Sequence, residues 1–313
     1  MRVLIAGCGY VGLPLGAELA RQGHDVSGLR RSVSARSDLV AAGIRPILGD
    51  ITRPGDLAAL PAPFDWVVNC VASGGGGAED YRRVYLEGTR NLIAWLATAA
   101  PAKLVYASST SVYAQNDGST VSETSPTEPD SDTAKVLVET EQLLLESAGE
   151  AGVPAVILRV AGIYGPDRGH AFRQLLRNEA RIQGDGRRLL NMIHRDDVIG
   201  CIVAALQNGH GGDIYNAVDD EPVAEIDFYR WLAGRLGKGL PAAVTADAAA
   251  ARKRGVTNKK VSNRKLKQEL GYRFRYPTFR EGYEAEILRM EGNAGKPRTE
   301  TDGHGGTRTR RRS

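Results

Sequence analysis

The first twelve residues constrain the fold more than any other part of the chain. A short apolar run, Val3-Leu4-Ile5-Ala6, leads directly into three glycines, Gly7, Gly9 and Gly12, and helical apolar spacing begins at Leu13. In a strand-turn-helix unit the first glycine permits a tight turn, the second lets a pyrophosphate approach the backbone, and the third allows close packing of helix on strand. The pattern predicts a dinucleotide site formed by Gly7, Gly9, Tyr10, Val11 and Gly12. The alternative is a purely structural turn.

The rest of the chain alternates short apolar runs with helical stretches. The runs lie at residues 2–6, 26–29, 46–48, 66–71, 104–107 and 156–160, and the helical stretches at 11–22, 78–99 and 135–148. This rhythm predicts an α/β fold with a Rossmann doubly wound parallel sheet, buried on both faces. Beyond residue 162 it loosens into helices at 171–180 and 196–207 and strands at 189–194 and 214–218, while 240–255 resembles a loop or irregular helix. We expect a dinucleotide-binding domain at 1–161, an interleaved C-terminal substrate-binding lobe at 162–290 and a basic disordered tail at 291–313.

The positive charge of the chain is concentrated at its C-terminus. The net charge is +4, and residues 291–313 hold six basic residues against three acidic ones, so the body is near neutral. A tail so poor in apolar residues favours a solvated segment over a nucleic-acid contact. The cysteines Cys8, Cys70 and Cys201 show neither disulfide nor metal-ligand spacing, and no apolar run approaches the ~20 residues of a membrane helix. We expect a cytoplasmic protein with a small-molecule substrate and no metal, nucleic-acid or membrane partner.

The end of the second predicted strand indicates which dinucleotide binds. NAD-binding domains place a carboxylate there for the ribose 2′-hydroxyl, but this chain has Arg30, Arg31 and Ser32. Guanidinium groups bind a phosphate through paired hydrogen bonds, and the serine hydroxyl adds another donor. The segment therefore favours NADP over NAD. The alternative is an exposed basic turn.

Two further strand ends are expected to border the same cofactor. Asp50 and Ile51 follow the third strand, where the carboxylate can accept a bond from the adenine amino group and the isoleucine can pack on the ring; equally, Asp50 could cap a helix ahead of Pro54. The fourth strand ends in Val71, Ala72 and Ser73, small residues that let the cofactor pass. The four glycines at 74–77 then form either a mobile gate or a simple connector.

Four motifs in order carry a resemblance to a known family. They are the glycine turn, residues 105–113 (VYASSTSVY), 157–166 (ILRVAGIYGP) and 193–198 (IHRDDV). From residue 1 to about 286 the chain resembles the NAD-dependent epimerase/dehydratase family, the extended branch of the short-chain dehydrogenases/reductases. The resemblance implies a hydride transfer with a nicotinamide cofactor. It also suggests a monomer or a homodimer formed through the helices at 78–99 and 135–148.

The resemblance implies a catalytic serine and a Tyr-x-x-x-Lys pair, and the chain departs from the second. Ser109, four residues before Tyr113, matches the serine that orients the substrate oxygen. Lys135 matches the lysine, which in the family lowers the phenol pKa and holds the nicotinamide ribose, but Ser131 stands four residues earlier. A serine hydroxyl is too weak an acid to replace that phenol. Tyr85 also stands where the family often carries asparagine. The catalytic set is expected to be Ser109 and Lys135 without an identified proton donor. Alternatively, Ser109 only closes the strand end, and Lys135 is an exposed residue at the start of a helix.

The remaining motifs imply substrate contacts. Tyr164 lies in the segment that lines the nicotinamide end in the family, and His194 and Arg195 begin its second fingerprint, where a cation would suit an anionic or sugar-phosphate substrate. Tyr85, Tyr113 and Tyr164 are candidates for a relocated phenol, with simple packing as the alternative. Asp196 or Asp197 is expected to cap the following helix. The predicted substrate residues are Ser109, Tyr113, Tyr164, His194 and Arg195.

Two classes of function follow from these patterns. The leading hypothesis is an NAD(P)-dependent oxidoreductase or epimerase acting on a carbonyl or sugar-like substrate, with the cofactor performing the redox chemistry and Ser109 polarising the oxygen. The alternative is a catalytically silent NADP-binding sensor or partner-binding protein, which the missing tyrosine favours.

Overall fold

The central element of the computed structural model is a seven-stranded parallel sheet. The described residues are 1–150, 152–244 and 257–294. The strands are β1 (Arg2–Ala6), β2 (Asp25–Arg30), β3 (Arg45–Leu48), β4 (Trp66–Asn69), β5 (Lys103–Ser109), β6 (Ala155–Val160) and β7 (Ile214–Ala217). Their spatial order is β3-β2-β1-β4-β5-β6-β7, and every neighbouring pair is parallel. This is the doubly wound Rossmann arrangement, so the predicted fold class is confirmed.

Helices cover both faces of the sheet and build a second lobe. The α-helices are Gly12–Arg21, Arg36–Ala41, Pro54–Ala58, Ala78–Tyr81, Gly88–Leu96, Asp132–Glu150, His170–Leu176, Arg195–Asn208, Glu225–Leu236, Arg264–Glu269 and Phe279–Ala294. A π-helical stretch, Arg82–Glu87, joins the fourth and fifth of these, and 3-10 turns lie at Val33–Ala35 and Thr110–Val112. Short strands outside the central sheet are Thr120–Val121, Gly162–Tyr164, Ile182–Gln183, Leu189–Leu190, Met192–His194, Val223–Ala224, Ala243–Val244 and Lys260–Val261.

The side chains of β1 show why the strand sequences are continuously apolar. Val3 and Ile5 pack into the core on one face of the sheet, whereas Leu4 and Ala6 pack into the core on the other. Successive side chains of a strand point to opposite faces, so a strand covered on both sides has no polar face to alternate with. A third, aromatic-rich core fills the second lobe around Phe228, Phe279 and Tyr283.

The two lobes are interleaved along the chain. After β6 the chain enters the second lobe, and then the helix Arg195–Asn208 and strand β7 return to the sheet, where Val198, Cys201 and Ile202 join its core. The helix Phe279–Ala294 continues four residues past the expected tail boundary at 290. The rest of that tail, 295–313, and most of the predicted loop, residues 245–255, lie outside the described residues.

The described ranges lack both a membrane-spanning helix and a metal-binding cluster. None of the helices there is both long and apolar enough to cross a bilayer. The same ranges hold no cluster of three or more His, Cys, Asp or Glu side chains placed to hold a metal ion.

Candidate functional site

One large cavity runs along the carboxyl edge of the sheet and into the second lobe. Its volume is about 1260 Å³, and it begins at the glycine turn after β1 and passes the ends of β2, β4, β5 and β6. The second lobe closes its other side with residues from 162–192 and 257–259, together with Tyr283. Ligands of doubly wound proteins bind at this edge, where the strand order reverses beside β1 and β4.

The glycine turn has the shape that a bound dinucleotide requires. Gly7 has a φ of +92°, and a Cβ there would lie 2.7 Å from the backbone nitrogen of Val71. A Cβ on Gly9 would meet nothing within 4 Å, so this glycine faces open space in the cavity. A Cβ on Gly12 would clash with the carbonyl oxygen of Gly7, which places the helix against the strand. In the first turn of the helix Gly12–Arg21, the N–H groups of Leu13 and Leu15 donate to the carbonyl oxygens of Gly9 and Val11, and Pro14 has no N–H. The N–H at the helix start, Gly12, and the positive end of the helix dipole are what a pyrophosphate would meet here.

The basic segment after β2 borders the same cavity. Arg30, Arg31 and Ser32 all line it. Arg31 lies 3.7 Å from a carboxylate oxygen of Asp50, and the hydroxyl of Ser32 shares a 2.6 Å hydrogen bond with that of Ser34. Because Arg31 is more than half exposed, its guanidinium is available to an incoming phosphate.

The ends of β3 and β4 meet the cavity as predicted, with one exception. Asp50 and Ile51 line it, and the Asp50 carboxylate also accepts a hydrogen bond from the backbone N–H of Thr52 at 2.9 Å. Asp50 thus holds its own turn while one oxygen remains near Arg31. Val71 and Ala72 line the cavity.

Ser73 is the exception, because it lies outside the lining. Its N–H donates to the Tyr85 hydroxyl at 3.4 Å. Tyr85 does line the cavity, at the position where the family often has asparagine.

Ser109 occupies the end of β5 and lines the cavity beside Ser111. Its hydroxyl accepts a hydrogen bond from the backbone N–H of Ser111 at 3.2 Å, which fixes the side chain at the start of a 3-10 turn. The Ser111 hydroxyl is buried and has no hydrogen-bond partner in the described part of the chain. Ser109 and Ser111 thus both line the cavity at this point, and the role of Ser109 stays a prediction.

The assignment of Lys135 to the site is wrong. Its side chain is 54% exposed, pairs with Asp132 at 3.3 Å and does not line the cavity. The residue of this helix that does line the cavity is Leu137, with Thr133 one turn earlier on the same face. Two positions separate Lys135 from Leu137, which turns the lysine about 200° away from the cleft. The cavity-facing side of the helix thus carries threonine and leucine in place of a Tyr-x-x-x-Lys pair.

Tyr113 is also wrongly assigned to the substrate, because it lies beneath the cavity floor. It is fully buried; its hydroxyl donates to Asn216 Oδ1 at 2.8 Å and accepts from Arg159 Nη1 at 2.8 Å. Arg159 forms a buried ion pair with Glu141 at 2.7 Å, and Glu141 accepts a 2.5 Å hydrogen bond from the Ser108 hydroxyl. This network joins β5, β6 and the helix Asp132–Glu150 directly behind Ser109. Its role is support, not substrate contact.

His194 and Arg195 lie outside the lining of the cavity, although the Arg195 guanidinium lies over the ring of Tyr10, which does line it, and their substrate contacts stay predictions. His194 is 1% exposed, and its ring nitrogen Nδ1 accepts the N–H of Asp196 at 3.2 Å, which caps the helix Arg195–Asn208. The histidine therefore does what the sequence suggested for Asp196 or Asp197. Asp197 is buried, and its carboxylate accepts from the Tyr272 hydroxyl and two backbone N–H groups.

Tyr164 and Tyr10 line the cavity on the lobe side of the glycine turn. Tyr164 is 2% exposed and stacks on Tyr283 with ring centres 4.4 Å apart, so packing accounts for most of its surface. Tyr10 lies beneath the guanidinium groups of Arg168 and Arg195, and its hydroxyl is buried without a described partner. Burial raises the pKa of Tyr10 to about 12 despite these cations, so its phenol stays protonated at neutral pH.

The cations that face the cavity from the second lobe were missed in the sequence. They are Arg168, Arg173, Arg181, Arg188 and Lys259. Arg188 pairs with Glu225 at 3.2 Å, whereas the other three arginines form no ion pair with a carboxylate in the described ranges. No local motif marks these arginines. Nothing at its own position in the sequence marks Lys259 either.

Comparison with known proteins identifies the family. The profile of the NAD-dependent epimerase/dehydratase family matches residues 3–217, which covers more than half of the chain. The chain belongs to this family. The match spans the sheet, the glycine turn and the returning strand β7, so it includes both the dinucleotide cradle and the Ser109 edge.

Relatives cover almost the whole chain. Protein YeeZ of Escherichia coli is 30% identical over 282 residues, 88% of this chain and 96% of its own length. The 3-diazoavenalumate denitrifying reductase of a Streptomyces species is 28% identical over 311 residues, 90% of this chain and 99% of its own. A solved structure of DesIV, a dTDP-glucose 4,6-dehydratase of Streptomyces venezuelae with NAD bound, shares the fold with a TM-score of 0.81. It is 24% identical and covers 94% of this chain and 98% of its own. The chain is thus similar in sequence or fold to reductases, epimerases and dehydratases.

Proposed function

We propose that this protein is an NADP-dependent oxidoreductase or epimerase acting on an anionic carbonyl or sugar-like substrate. The observation that carries the proposal is the continuity of the cavity, which joins the glycine turn and Arg30 at one end to Ser109 and the arginines of the second lobe at the other. A space of about 1260 Å³ is larger than the ~300–1,000 Å³ of a typical single-ligand pocket, as two ligands meeting end to end require.

The residues present fit a dinucleotide. The open face at Gly9 and the helix N-terminus at Gly12 suit a pyrophosphate, and Arg30 and Arg31 suit a ribose 2′-phosphate in place of a 2′-hydroxyl. Relatives with NAD bound leave NAD as the competing cofactor, and the basic pair is what favours NADP. When bound, the nicotinamide supplies or accepts a hydride. The chain itself orients the substrate oxygen through the Ser109 hydroxyl and excludes water through the apolar wall at Leu137.

The cations of the second lobe support an anionic substrate. Arg168, Arg173 and Arg181 line the cavity without a described carboxylate partner, whereas Glu179 and Glu225 are the acidic residues on the same wall. An excess of guanidinium groups raises the local concentration of anions and binds phosphate or carboxylate in paired geometry.

The cofactor assignment is tested by calorimetric titration of the full chain with NADPH and NADH. Replacing Arg30 and Arg31 together by alanine is expected to weaken NADPH binding about 100-fold, since two charge-assisted contacts are worth about 1.5 kcal/mol each, and to leave NADH binding within threefold. Arg36→Ala is the matched control, because Arg36 is exposed on the next helix and does not line the cavity. Equal weakening of both cofactors, or none, would refute a 2′-phosphate site at this pair.

Turnover is then tested on a fixed panel. Pyruvate, oxaloacetate and phenanthrenequinone are supplied with NADPH, and UDP-glucose and glucose phosphate with NADP. Oxidation or reduction of the cofactor is followed by its absorbance, and the sugar substrates are also followed by chromatography of the products, because epimerisation leaves the cofactor unchanged overall. The Ser109→Ala variant is measured in parallel. We expect turnover of at least one charged member by the wild type and a loss of 10²-fold or more in the variant, as for removal of an oxyanion donor.

A second candidate function is a silent NADP sensor. The specific observation that favours it is the leucine at the cavity-facing position of the helix Asp132–Glu150, where no phenol or ammonium group is presented. Tight NADPH binding without turnover on the entire panel would support this candidate over the enzyme.

A further inference from the structure

Among the ionisable side chains that line the cavity, Lys259 is a buried amine that the proposed function leaves unused. Lys259 lines the cavity and is only 4% exposed. It directly precedes the short strand Lys260–Val261 of the second lobe. Its Nζ donates to the carbonyl oxygen of Tyr113 at 2.8 Å and to the hydroxyl of Thr257 at 2.9 Å. Both acceptors are neutral. A buried ammonium without a counter-charge is costly, which makes it a candidate for function.

The backbone around Lys259 fixes it next to the Ser109 edge. The N–H of Asn258 donates to the Gln115 carbonyl, and the N–H of Gly118 donates to the Asn258 carbonyl at 2.8 Å. Lys260 and Val261 then pair in parallel with Thr120 and Val121. These bonds hold the lysine against the segment that follows Ser109 and Ser111, and all three residues line the cavity.

The hydrogen bonds of Nζ suit both of its protonation states. An ammonium has three N–H donors, and two of them are engaged by Tyr113 and Thr257. A neutral amine has two N–H donors and one lone pair, so the same two hydrogen bonds persist after deprotonation. The remaining position on Nζ is an N–H donor in the ammonium and a lone-pair acceptor in the neutral amine. The Lys259 side chain lines the cavity.

The charged groups around Lys259 are engaged with one another. From the neighbouring elements, Tyr113 pairs with Arg159, Arg159 with Glu141, and the Glu123 carboxylate accepts the N–H of Asn216. Across the cavity wall, Arg188 pairs with Glu225. None of the described carboxylates forms an ion pair with Nζ. Burial alone therefore lowers the pKa of Lys259 to about 8.

We propose that Lys259 is the acid–base residue of this cleft, exchanging a proton with the substrate oxygen that Ser109 orients. The proposal rests on the oxidoreductase function argued above. In reduction the Nζ–H bond breaks and an O–H bond forms on the former carbonyl oxygen, while the N–H electron pair stays on nitrogen. The carbonyl carbon gains its hydride from a reduced nicotinamide dinucleotide, so the substrate gains one hydride and one proton. The neutral amine recovers its proton from water, and oxidation of an alcohol runs the same transfers in reverse.

The proposal is tested first on the apo protein. Competitive acylation of the full chain with acetic anhydride across pH 6 to 11, followed by peptide mass spectrometry, gives the titration midpoint of each lysine. Lys259 is expected to titrate near pH 8 and the adjacent exposed Lys260 near the ordinary lysine value of about 10.4. A midpoint for Lys259 at the ordinary value would overturn the proposal without any measurement of turnover.

The second test compares Lys259→Met, Lys259→Arg and the control Lys260→Met on whichever panel substrate the wild type converts. Lys259→Met is expected to lose 10²-fold or more in kcat, the usual contribution of a general acid, with NADPH affinity within threefold of wild type. Lys259→Arg keeps the charge but does not release a proton near neutral pH, so it stays impaired and loses the pH limb near 8. Lys260→Met is expected to behave as the wild type.

The outcomes separate the two proposals. An active wild type with an equally active Lys259→Met or Lys259→Arg variant overturns the acid–base role alone. A wild type that binds NADPH but converts nothing on the panel overturns the enzymatic function, and the acid–base role with it. Loss of NADPH binding in Lys259→Met also counts against the proposal, because it would place the lysine in the cofactor site.

Discussion

The two ends of the cavity differ in how closely they follow the pattern of their family. At the dinucleotide end, the glycine turn, the arginines after β2 and, except for Ser73, the small residues after β4 line the cavity as the motifs require. At the substrate end, Ser109 is in place, but the helix behind it presents Leu137, and the nearest amine comes from Lys259 of the second lobe. The difference teaches that a backbone cradle is fixed by local sequence, whereas a catalytic group can be supplied from any element that reaches the cleft.

The biggest change in stability is expected at the substrate end, from Glu141→Leu. This variant leaves the buried Arg159 without its carboxylate, and breaking a buried pair costs about 3–5 kcal/mol. The matched control is Glu139→Leu on the same helix, whose pair with Arg82 is exposed and worth about 0–1 kcal/mol. Urea unfolding followed by circular dichroism measures both. Similar losses in the two variants would remove the argument that Arg159, Glu141 and Tyr113 form the support beneath Ser109.

At the dinucleotide end, Gly7→Ala and Gly9→Ala are expected to separate folding from binding. Gly7 has a positive φ, and the Cβ of Gly7→Ala would meet backbone atoms. This variant is therefore expected to lose about 3 kcal/mol of stability and also to lose NADPH binding. The Cβ of Gly9→Ala meets only open space, so stability is kept within about 0.5 kcal/mol while NADPH affinity falls. Thermal unfolding and calorimetric titration on the same samples decide this. Unchanged NADPH affinity in Gly9→Ala would place the pyrophosphate elsewhere.

The sequence predicted the sheet well because each of its signals is local. The continuously apolar run Val3-Leu4-Ile5-Ala6 predicted a strand buried on both faces. The three glycines in the next six residues predicted a tight turn from this strand into a helix. Arg30 and Arg31 line the cavity as expected, because residues that follow a parallel strand lie at the carboxyl edge of the sheet, where the cavity runs. These inferences need no knowledge of distant contacts.

The errors at the substrate end arose where a residue's direction depends on packing. Lys135 was selected by its spacing from a missing tyrosine, but the helix rotates it into solvent because Leu137 and Glu141 are the residues that pack inward. Tyr113 has a polar group that motif analysis assigns to a ligand, and it instead satisfies a partner within the protein. Lys259 reaches the carbonyl oxygen of Tyr113, four residues after Ser109, across 146 residues of sequence, and nothing at its own position indicates that contact.

The ionisation of Lys259 should also appear in the pH dependence of stability. Its folded pKa, about 8, lies below the ordinary lysine value, so between these values the unfolded chain binds a proton that the folded chain does not. Stability therefore rises with pH in this window, by about 1.4 kcal/mol per unit and about 2 kcal/mol from pH 8 to 9.5.

This contribution is isolated by the difference in unfolding free energy between the wild type and Lys259→Met. The difference is expected to move in favour of the wild type as the pH rises through this window. Lys260→Met, which removes an exposed lysine, should run parallel to the wild type at every pH. Parallel curves for Lys259→Met would mean that the amine titrates as in water.

The smallest change in NADPH affinity and kcat is expected from Lys135→Ala. This small change would distinguish the structure from the usual pattern of the family. In the family pattern this lysine would hold the nicotinamide ribose, and its removal would weaken NADPH binding and slow turnover by orders of magnitude. In the structure it is 54% exposed and pairs only with Asp132, an exposed contact worth at most about 0.5 kcal/mol. We expect NADPH affinity and kcat to change less than twofold, measured beside Lys259→Met. A large loss in Lys135→Ala would show that the helix rotates when the cofactor binds, and it would return the substrate end of the cavity to the ordinary pattern of its family.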